Sequence, residues 1–439
     1  MSLSMDSPSP TLSRRHFLRT GSASLVAPAV ITAATTLRAQ QKADSNETLR
    51  IGLIGCGGRG TGAASQALQA DYNARLVAVA DVFEKQMDTA IASLSAKTPD
   101  RVTVSPEHRF LGLDAYQKLL ASDVDVVILA TPPGYRPLHL TAAVEAGKHL
   151  FCEKPMAVDA VGYHVAMAAL AKAKEKKLNV TAGFCWRYNT SRRESFKRLK
   201  DGQFGDLMGY FGTYYGSPVR PVPAASSRQP EQTDLAWQLA SWNSFSWLSG
   251  DNYVEQAVHS VDKLMWAMGD QPPVSCIATG GRQTPAEGGN IFDHFHVAYE
   301  FANGVMGHIG SRQMTGCANE NIDYIQCSQA KLVIGKGSAP FAEGAKRWRF
   351  RGEEKNMYQI EHDELFAAIR SGKTVFDGDW MMQSTLAGIM GREAAYTGQR
   401  LTWEQILASK QDLAPEETLK WGDKFEPTPR PIPGVTKFV

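Results

Sequence analysis

The sequence predicts an α/β protein in two parts: a doubly wound parallel sheet, then a second α/β unit built on a large, mainly antiparallel open sheet. Three observations predict it. Between residues 48 and 190, apolar runs too continuous to alternate, such as "VDVVILAT", are separated by amphipathic stretches. That is the pattern of parallel strands covered on both faces. After about Arg192 the runs lengthen and alternate, as in "FDHFHVAYEFANG", which is how a half-exposed antiparallel strand reads. With 439 residues, 43% hydrophobic and 21% charged, the chain is long enough to bury two cores.

Each element follows from its own text. "LRIGLIGCG", "ARLVAVAD", "VDVVILAT", "KHLFCEKP" and "LNVTAGFCW" read as strands, and "GTGAASQALQA", "AYQKLLAS", "LHLTAAVEAG" and "DAVGYHVAMAALAKAKEKK" as the helices around them. In the second half "DLMGYFGTYYGS", "SCIATGGRQT", "VMGHIGSRQ" and "NIDYIQCSQAKLVI" read as strands, and Asn303-Gly304 in "FANGVM" marks a hairpin. "RPVPAASSRQPEQTDLAWQ" is a Pro- and Ser-rich excursion expected over the site. "EKNMYQIEHDELFAAIRSG" and "DWMMQSTLAGIMGREAAYTGQ" read as helices. The division expected is a leader over 1–39, a dinucleotide-type domain over 48–190, a substrate and oligomerisation domain over 191–400, and a surface tail over 401–439.

The leader has Arg14-Arg15 followed by His16-Phe17-Leu18, a weakly hydrophobic run from Ser22 to Ala34, and a small residue at Ala39. It resembles a twin-arginine signal, which implies a periplasmic or exported protein. The run is too short and too rich in Ser, Thr and Ala to span a bilayer. The formal net charge is +2, and without residues 1–39 there remain 43 basic and 44 acidic residues, so nothing asks for nucleic acid. Six cysteines, at 56, 152, 185, 276, 317 and 327, lack any C-x-x-C spacing and read as mostly reduced core residues.

Gly55-Cys56-Gly57-Gly58-Arg59-Gly60 fits G-x-G-x-x-G between a strand and a helix. Gly55 permits the tight turn, Gly57 lets backbone approach a pyrophosphate, Gly60 lets helix and strand pack, and the helix start offers free N–H groups to an anion. Asp81 ends the next strand, where a carboxylate accepts from ribose hydroxyls and repels a 2′-phosphate. This favours NAD over NADP, although Arg59 is a cation able to tolerate extra phosphate.

Three separated motifs, each at a strand end, carry a resemblance: Thr131-Pro132, then Ala-Gly-Lys-His at 146 to 149, then Glu153-Lys154-Pro155. Over residues 48 to 400 the chain resembles the Gfo/Idh/MocA oxidoreductases. The resemblance implies a Rossmann domain with NAD held by the glycine turn, Asp81, Thr131, Pro132, Glu153 and Lys154. It further implies a cis bond before Pro155, oligomers formed through the second sheet, and a carbohydrate or polyol lying between the domains. By the same resemblance Lys154 contacts the reacting hydroxyl, while Glu255 and His259 in "GDNYVEQAVHSVDKLMWAMG" stand where an Asp and a His supply the acid–base chemistry.

The residues support that chemistry by themselves. Glu255, His259 and Asp262 fall at i, i+4 and i+7, one helical face. An imidazole takes a hydroxyl proton as hydride leaves, and Lys154 can polarise the same oxygen. Arg136 stands where the family often has His and puts a positive charge near the cleft. Trp186 and Arg187 of "GFCWRYN" are candidates to stack on and clamp a polyol, or else to pack the domains together. Trp237, Trp242 and Trp247 either offer flat surfaces to sugars or staple the excursion. His294 and His296 share a strand face without a third ligand, so no metal is expected. Outside the cytoplasm a freely dissociating NAD is not regenerated, so the expectation is a tightly held cofactor returned to its starting state. The reaction is then either net oxidoreduction of a sugar, polyol or glycoside hydroxyl, or glycoside hydrolysis by transient ring oxidation and elimination.

Overall fold

The computed structural model describes residues 47–284, 287–335, 337–414, 420–422 and 424–439; the twin-arginine reading falls on residues outside these. The first sheet contains β1 (Leu49–Ile54), β2 (Ala74–Asp81), β3 (Arg109–Leu111), β4 (Val126–Leu129), β5 (His149–Cys152) and β6 (Val180–Ala182). Its strand order is β3-β2-β1-β4-β5-β6, all parallel. β4 and β5 are buried along their whole length, the physical reason their sequences do not alternate. Helices α1 (Gly58–Ala70), α2 (Glu84–Ser95), α3 (Ala115–Ala121), α4 (Arg136–Glu145) and α5 (Ala160–Glu175) flank the sheet. The chain reverses its winding between β1 and β4, and the carboxyl ends there form the crevice in which doubly wound folds bind ligands.

Helix α6 (Thr190–Lys200) leads into the second sheet, of nine strands. These are β7 (Leu207–Gly216), β8 (Ser275–Gly281), β9 (His294–Glu300), β10 (Met306–Gln313), β11 (Ile322–Cys327), β12 (Ala330–Gly335), β13 (Phe341–Gly344), β14 (Trp348–Arg349) and β15 (Leu401–Thr402). The order is β14-β13-β12-β11-β7-β10-β9-β8-β15, antiparallel except for β7 with β10. β9 shows the expected alternation, with Phe295, Val297 and Tyr299 buried and the residues between them half-exposed. Between β9 and β10 the turn is the expected one, Gly304 taking a φ of +78°. "NIDYIQCSQAKLVI", read as one strand, is instead the hairpin β11–β12, because Ser328 and Gln329 turn to give their N–H groups to Asp206 and Phe204.

Between β7 and β8 lie the excursion, with α7 (Asp234–Ala240) and α8 (Ser246–Ser249), then a π-helical turn over Tyr253–Ala257 and α9 (Val258–Ala267). The chain ends with α10 (Met357–Ser371), α11 (Gly378–Thr397) and α12 (Trp403–Ala408). The division at residue 190 is corrected here: Leu365, Phe366 and Ile369 of α10 belong to the same buried cluster as Ile51, Leu53 and Leu68. The parallel bridge from Phe376 to Val180 likewise returns the chain to the first sheet. The tail after 401 is also more than a drape, since Leu413 and Phe425 pack into a third apolar cluster. Leu365→Ala should therefore destabilise the dinucleotide domain by about 2–5 kcal/mol. Urea denaturation followed by far-ultraviolet circular dichroism measures the effect, and a loss under about 0.5 kcal/mol contradicts the shared core.

Candidate active site

The glycine turn is shaped as the sequence requires. Gly55 has a φ of +94°, and a Cβ on Gly60 would lie 1.9 Å from the Gly55 carbonyl oxygen, whereas one on Gly57 or Gly58 would meet nothing within 4 Å. The open side of the turn is thus a cradle for a ligand. The N-cap Gly57 offers no side-chain cap to α1, leaving the first N–H groups for an anion. Asp81 is anchored at the crevice, its Oδ2 accepting from the Cys56 N–H at 2.7 Å and its Oδ1 from the Phe83 N–H at 2.9 Å. Burial raises its pKa. A cavity of about 130 Å³ runs past Gly55, Gly57, Asp81, Thr131 and Pro132. These residues fit NAD: backbone donors for the pyrophosphate, a carboxylate for the ribose and an apolar slot for the rings.

Arg59 does not face that slot. Its Nε lies 2.7 Å from Glu153 Oε1 and its guanidinium sits over the Tyr358 ring, so the cation is neutralised behind the turn. This corrects its reading as an acceptor of extra phosphate. Glu153 is thereby held to the turn, with Gly183 against its carboxyl. The charge of Arg136 is also absent from the cleft: the side chain is 1% exposed and donates to the Leu129 and Thr131 carbonyls. It braces the Thr131-Pro132 turn. Thr131 Oγ1 meets His139 Nδ1 at 3.0 Å, and burial together with Arg136 depresses the His139 pKa to about 3. Cys56 is buried and contributes its backbone.

Lys154 ends the crevice. Its bond to Pro155 is cis, and its ammonium donates to Glu255 Oε1 at 2.7 Å and to the Glu255 carbonyl. Glu255 reaches this point because the chain makes a π turn, which inserts a residue into the helical repeat just before α9. Of the residues expected on one helical face, Glu255 and His259 both stand near Lys154. The carboxylate of Asp262 instead accepts from Arg187 Nε at 3.0 Å and from Ser384.

His259 lies between the Phe184 edge and the Tyr214 face. Its Nδ1 is buried with no hydrogen-bond partner among the described residues, the mark of a group awaiting a ligand or water. Burial and the cations Lys154 and Lys263 hold its pKa well below the usual histidine range, so the imidazole is neutral. Two residues that the sequence did not disclose complete the group. Gln256 donates to Glu255 Oε2, and Tyr214 donates to Gln256 Oε1 at 3.0 Å. Tyr214 was legible only as a strand position on β7, and Gln256 only as a neighbour of Glu255.

A second cavity, of about 380 Å³, adjoins Glu255 and is lined by Asn243, Asn252, Gln283, Thr284 and Gln313 among others. Amides and hydroxyls of this kind suit a polyhydroxylated ligand. Neither Trp186 nor Arg187 reaches it. Arg187 is 9% exposed, with its donors taken by Asp262 and Asp270 and its plane over Trp266 and Trp380. Trp186 lies under Arg192. Their substrate role is corrected to interdomain packing. Trp237 and Trp247 staple the excursion through Phe245, Gln238 and Phe425, whereas Trp242 lines the dinucleotide cavity. His294 pairs with Asp293 and His296 with His308. Among the described residues there is no His, Cys or carboxylate group of three suited to a metal, no disulfide, and no helix long and apolar enough to cross a membrane.

Gly60→Ala should push the first turn of α1 off β1, costing about 1–3 kcal/mol and most of the NAD retained on purification. Gly62→Ala, whose Cβ would meet only Arg59 Nη1 at 3.6 Å, should retain both. Urea midpoints and cofactor content check the pair, and equal behaviour of the two variants contradicts the geometry.

Comparison with known proteins agrees with this architecture. Residues 49–184 match the profile of the GFO_IDH_MocA oxidoreductase family, NAD-binding Rossmann fold. Inositol 2-dehydrogenase of Rhodococcus erythropolis is 28% identical over 387 residues, which is 82% of this chain and 97% of that protein. Inositol 2-dehydrogenase of Rhizobium meliloti is 25% identical over 232 residues, and there the chain spans only 58% of the relative's length. The structure of levoglucosan dehydrogenase in complex with NADH and levoglucosan superposes with a TM-score of 0.63 at 19% identity, over 81% of this chain and 99% of that one, a likeness of fold. The N-terminal domain is thus an NAD-binding Rossmann domain of the Gfo/Idh/MocA oxidoreductase type, in a chain that resembles inositol 2-dehydrogenases.

Proposed function

We propose that the protein is an NAD-dependent oxidoreductase acting on a secondary hydroxyl of a sugar, polyol or glycoside. The observation that carries this reading is the Lys154–Glu255 ion pair with a neutral His259 near the same ammonium, Glu255 lining the amide-rich cavity. NAD, when bound, supplies the hydride acceptor. Lys154 Nζ, with three donors and two of them engaged by Glu255, directs its third at the substrate oxygen and stabilises the alkoxide character that develops there. The hydroxyl proton passes to the imidazole of His259 as the C–H bond breaks. Glu255 keeps the ammonium in place, and Gln256 and Tyr214 keep Glu255 in place.

Export through the twin-arginine route and a tightly held cofactor are part of the same proposal, because a folded, loaded protein needs no external NAD pool. A second reading, favoured by the excursion residues Arg220, Leu239, Ala240 and Trp242 that line the dinucleotide cavity, is a redox-neutral glycosidase. Ring oxidation acidifies the neighbouring C–H, the leaving group is eliminated, and water addition and reduction follow. Oligomers are proposed through the outer face of the nine-stranded sheet, where Tyr324, Phe211, His308 and Ala298 form one cross-strand row and no described element covers them.

Purified protein, denatured and extracted, should release NAD(H) near one equivalent per chain. A panel of inositols, aldoses and aryl glycosides in deuterated water then separates the readings. Net ketone or lactone marks the oxidoreductase, and leaving-group release with exchange at the adjacent carbon marks the hydrolase. Lys154→Ala and His259→Ala should each lower turnover by at least about a hundredfold with cofactor still bound; undiminished turnover removes that residue from its role. Because the His259 pKa is depressed, the base stays unprotonated as pH falls through 6.5. The acid limb of kcat/KM should therefore lie below pH 6.5, and a limb at or above 6.5 contradicts the assignment.

A further inference from the structure

The dinucleotide cavity is not built by the first domain alone. Its far wall consists of Arg220, Leu239, Ala240 and Trp242, all from the excursion of the second domain, facing Asp81 and Phe83. This wall is fixed from behind. Leu235, Leu239, Phe245, Trp247 and Leu248 form a buried cluster that packs on Val82, Phe83, Leu113 and Tyr135 of the first domain and on Leu413 and Phe425 of the tail.

The tail is fastened to that cluster by directed bonds. The Phe425 N–H donates to Asp234 Oδ2 at 2.8 Å, and its carbonyl accepts from Gln238 Nε2 at 2.7 Å. Gln238 Oε1 in turn accepts from the Trp247 indole at 2.7 Å, and the Trp247 ring meets Phe425 edge-on at 5.4 Å. Further along, Asn290 Nδ2 donates to the Thr428 carbonyl at 2.9 Å. Upstream, Trp421 meets Phe83 edge-on at 5.8 Å. Phe83 directly follows the loop that positions Asp81 and itself lines the cavity, so Trp421 backs the rim beside the ribose-binding carboxylate.

We infer that the excursion and the carboxyl-terminal tail complete the dinucleotide site, Trp242 and Leu239 forming its roof and Trp421 and Phe425 the strap that keeps the roof shut. The inference rests on the NAD reading of the glycine turn. The roof is apolar and aromatic where a purine must be enclosed, and Arg220, which lines both cavities, donates to the Ala240 carbonyl within it. Departure of the cofactor requires the roof cluster to separate from Val82, Phe83 and Tyr135, so apolar surface has to be exposed before the ligand can leave. Slow release then follows from the fold itself, without any unusual contact to the dinucleotide.

The test uses the full chain and a fluorescent probe, 1,N6-etheno-NAD. Protein loaded with the probe is mixed with excess NAD, and the exchange rate is followed for the unaltered chain and for Trp421→Ala, Trp242→Ala and Phe425→Ala. The strap and roof predict exchange at least tenfold faster in each variant than in the unaltered chain. Trp421 is 40% exposed, so Trp421→Ala should leave the thermal midpoint of the cofactor-free protein nearly unchanged and decides the matter if Phe425→Ala does not fold. Exchange at the unaltered rate in both Trp421→Ala and Trp242→Ala overturns the inference. Failure of the unaltered chain and every variant to bind either the probe or NAD overturns the cofactor reading, and the strap with it.

Discussion

One ion pair organises the molecule: the ammonium of Lys154, at the end of the first sheet, against the carboxylate of Glu255, in the π turn of the second domain. The two side chains are 8% and 10% exposed. At such burial the attraction is little diluted by water, and removing one partner strands the other at a cost of about 3–5 kcal/mol. The pair therefore ties the end of the first sheet to the second domain beside the cavity that Glu255 lines. It also bears on the third group, because the same ammonium adds to burial in keeping His259 neutral. A cation, an anion and an uncharged base side by side are the elements needed to move one hydroxyl proton.

The scaffold secures both ends of that pair from one point. Arg392 of α11 is fully buried, and its Nη1 donates to the Val158 carbonyl, four residues after Lys154, and to the Gly250 carbonyl, five before Glu255. Next to it Asp251 holds a φ of +73° and accepts from the Tyr396 hydroxyl and from the Phe292 and Asn252 N–H groups. Burial lifts its carboxyl to about 7. A strained residue kept in place by this many partners positions Asn252 and Glu255 along the second cavity. The long helix α11, which reads in sequence as an ordinary core element, is thus the part that ties the site together.

Much of this was legible in the sequence because its causes are local. A glycine needed for a positive φ, a carboxylate at a strand end and unbroken apolar runs each carry their reason within a few residues, so the first sheet, the turn and Asp81 were readable. Lys154, Glu255 and His259 were readable from motif order. What escaped depends on long-range pairing. Nothing near Arg187 announces that Asp262 and Asp270 occupy its donors, and nothing near Arg136 shows that two carbonyls bury its charge. Arg59 likewise turns from the phosphate turn to Glu153, a residue 94 positions along the chain. The helical-face argument did not disclose that Asp262 gives its carboxylate to Arg187 and Ser384. The return of α10 to the first domain was hidden because an amphipathic helix does not state which sheet it covers.

The most direct test follows the hydride itself. The protein with its retained cofactor is given a polyol deuterated at its carbinol carbons, quenched within one turnover, and the cofactor is recovered for mass spectrometry. Deuterium in the nicotinamide of the unaltered chain, absent from Lys154→Ala, is the result expected of a cofactor facing the Lys154–Glu255 pair. Carbonyl product formed while the recovered nicotinamide carries no deuterium would contradict it.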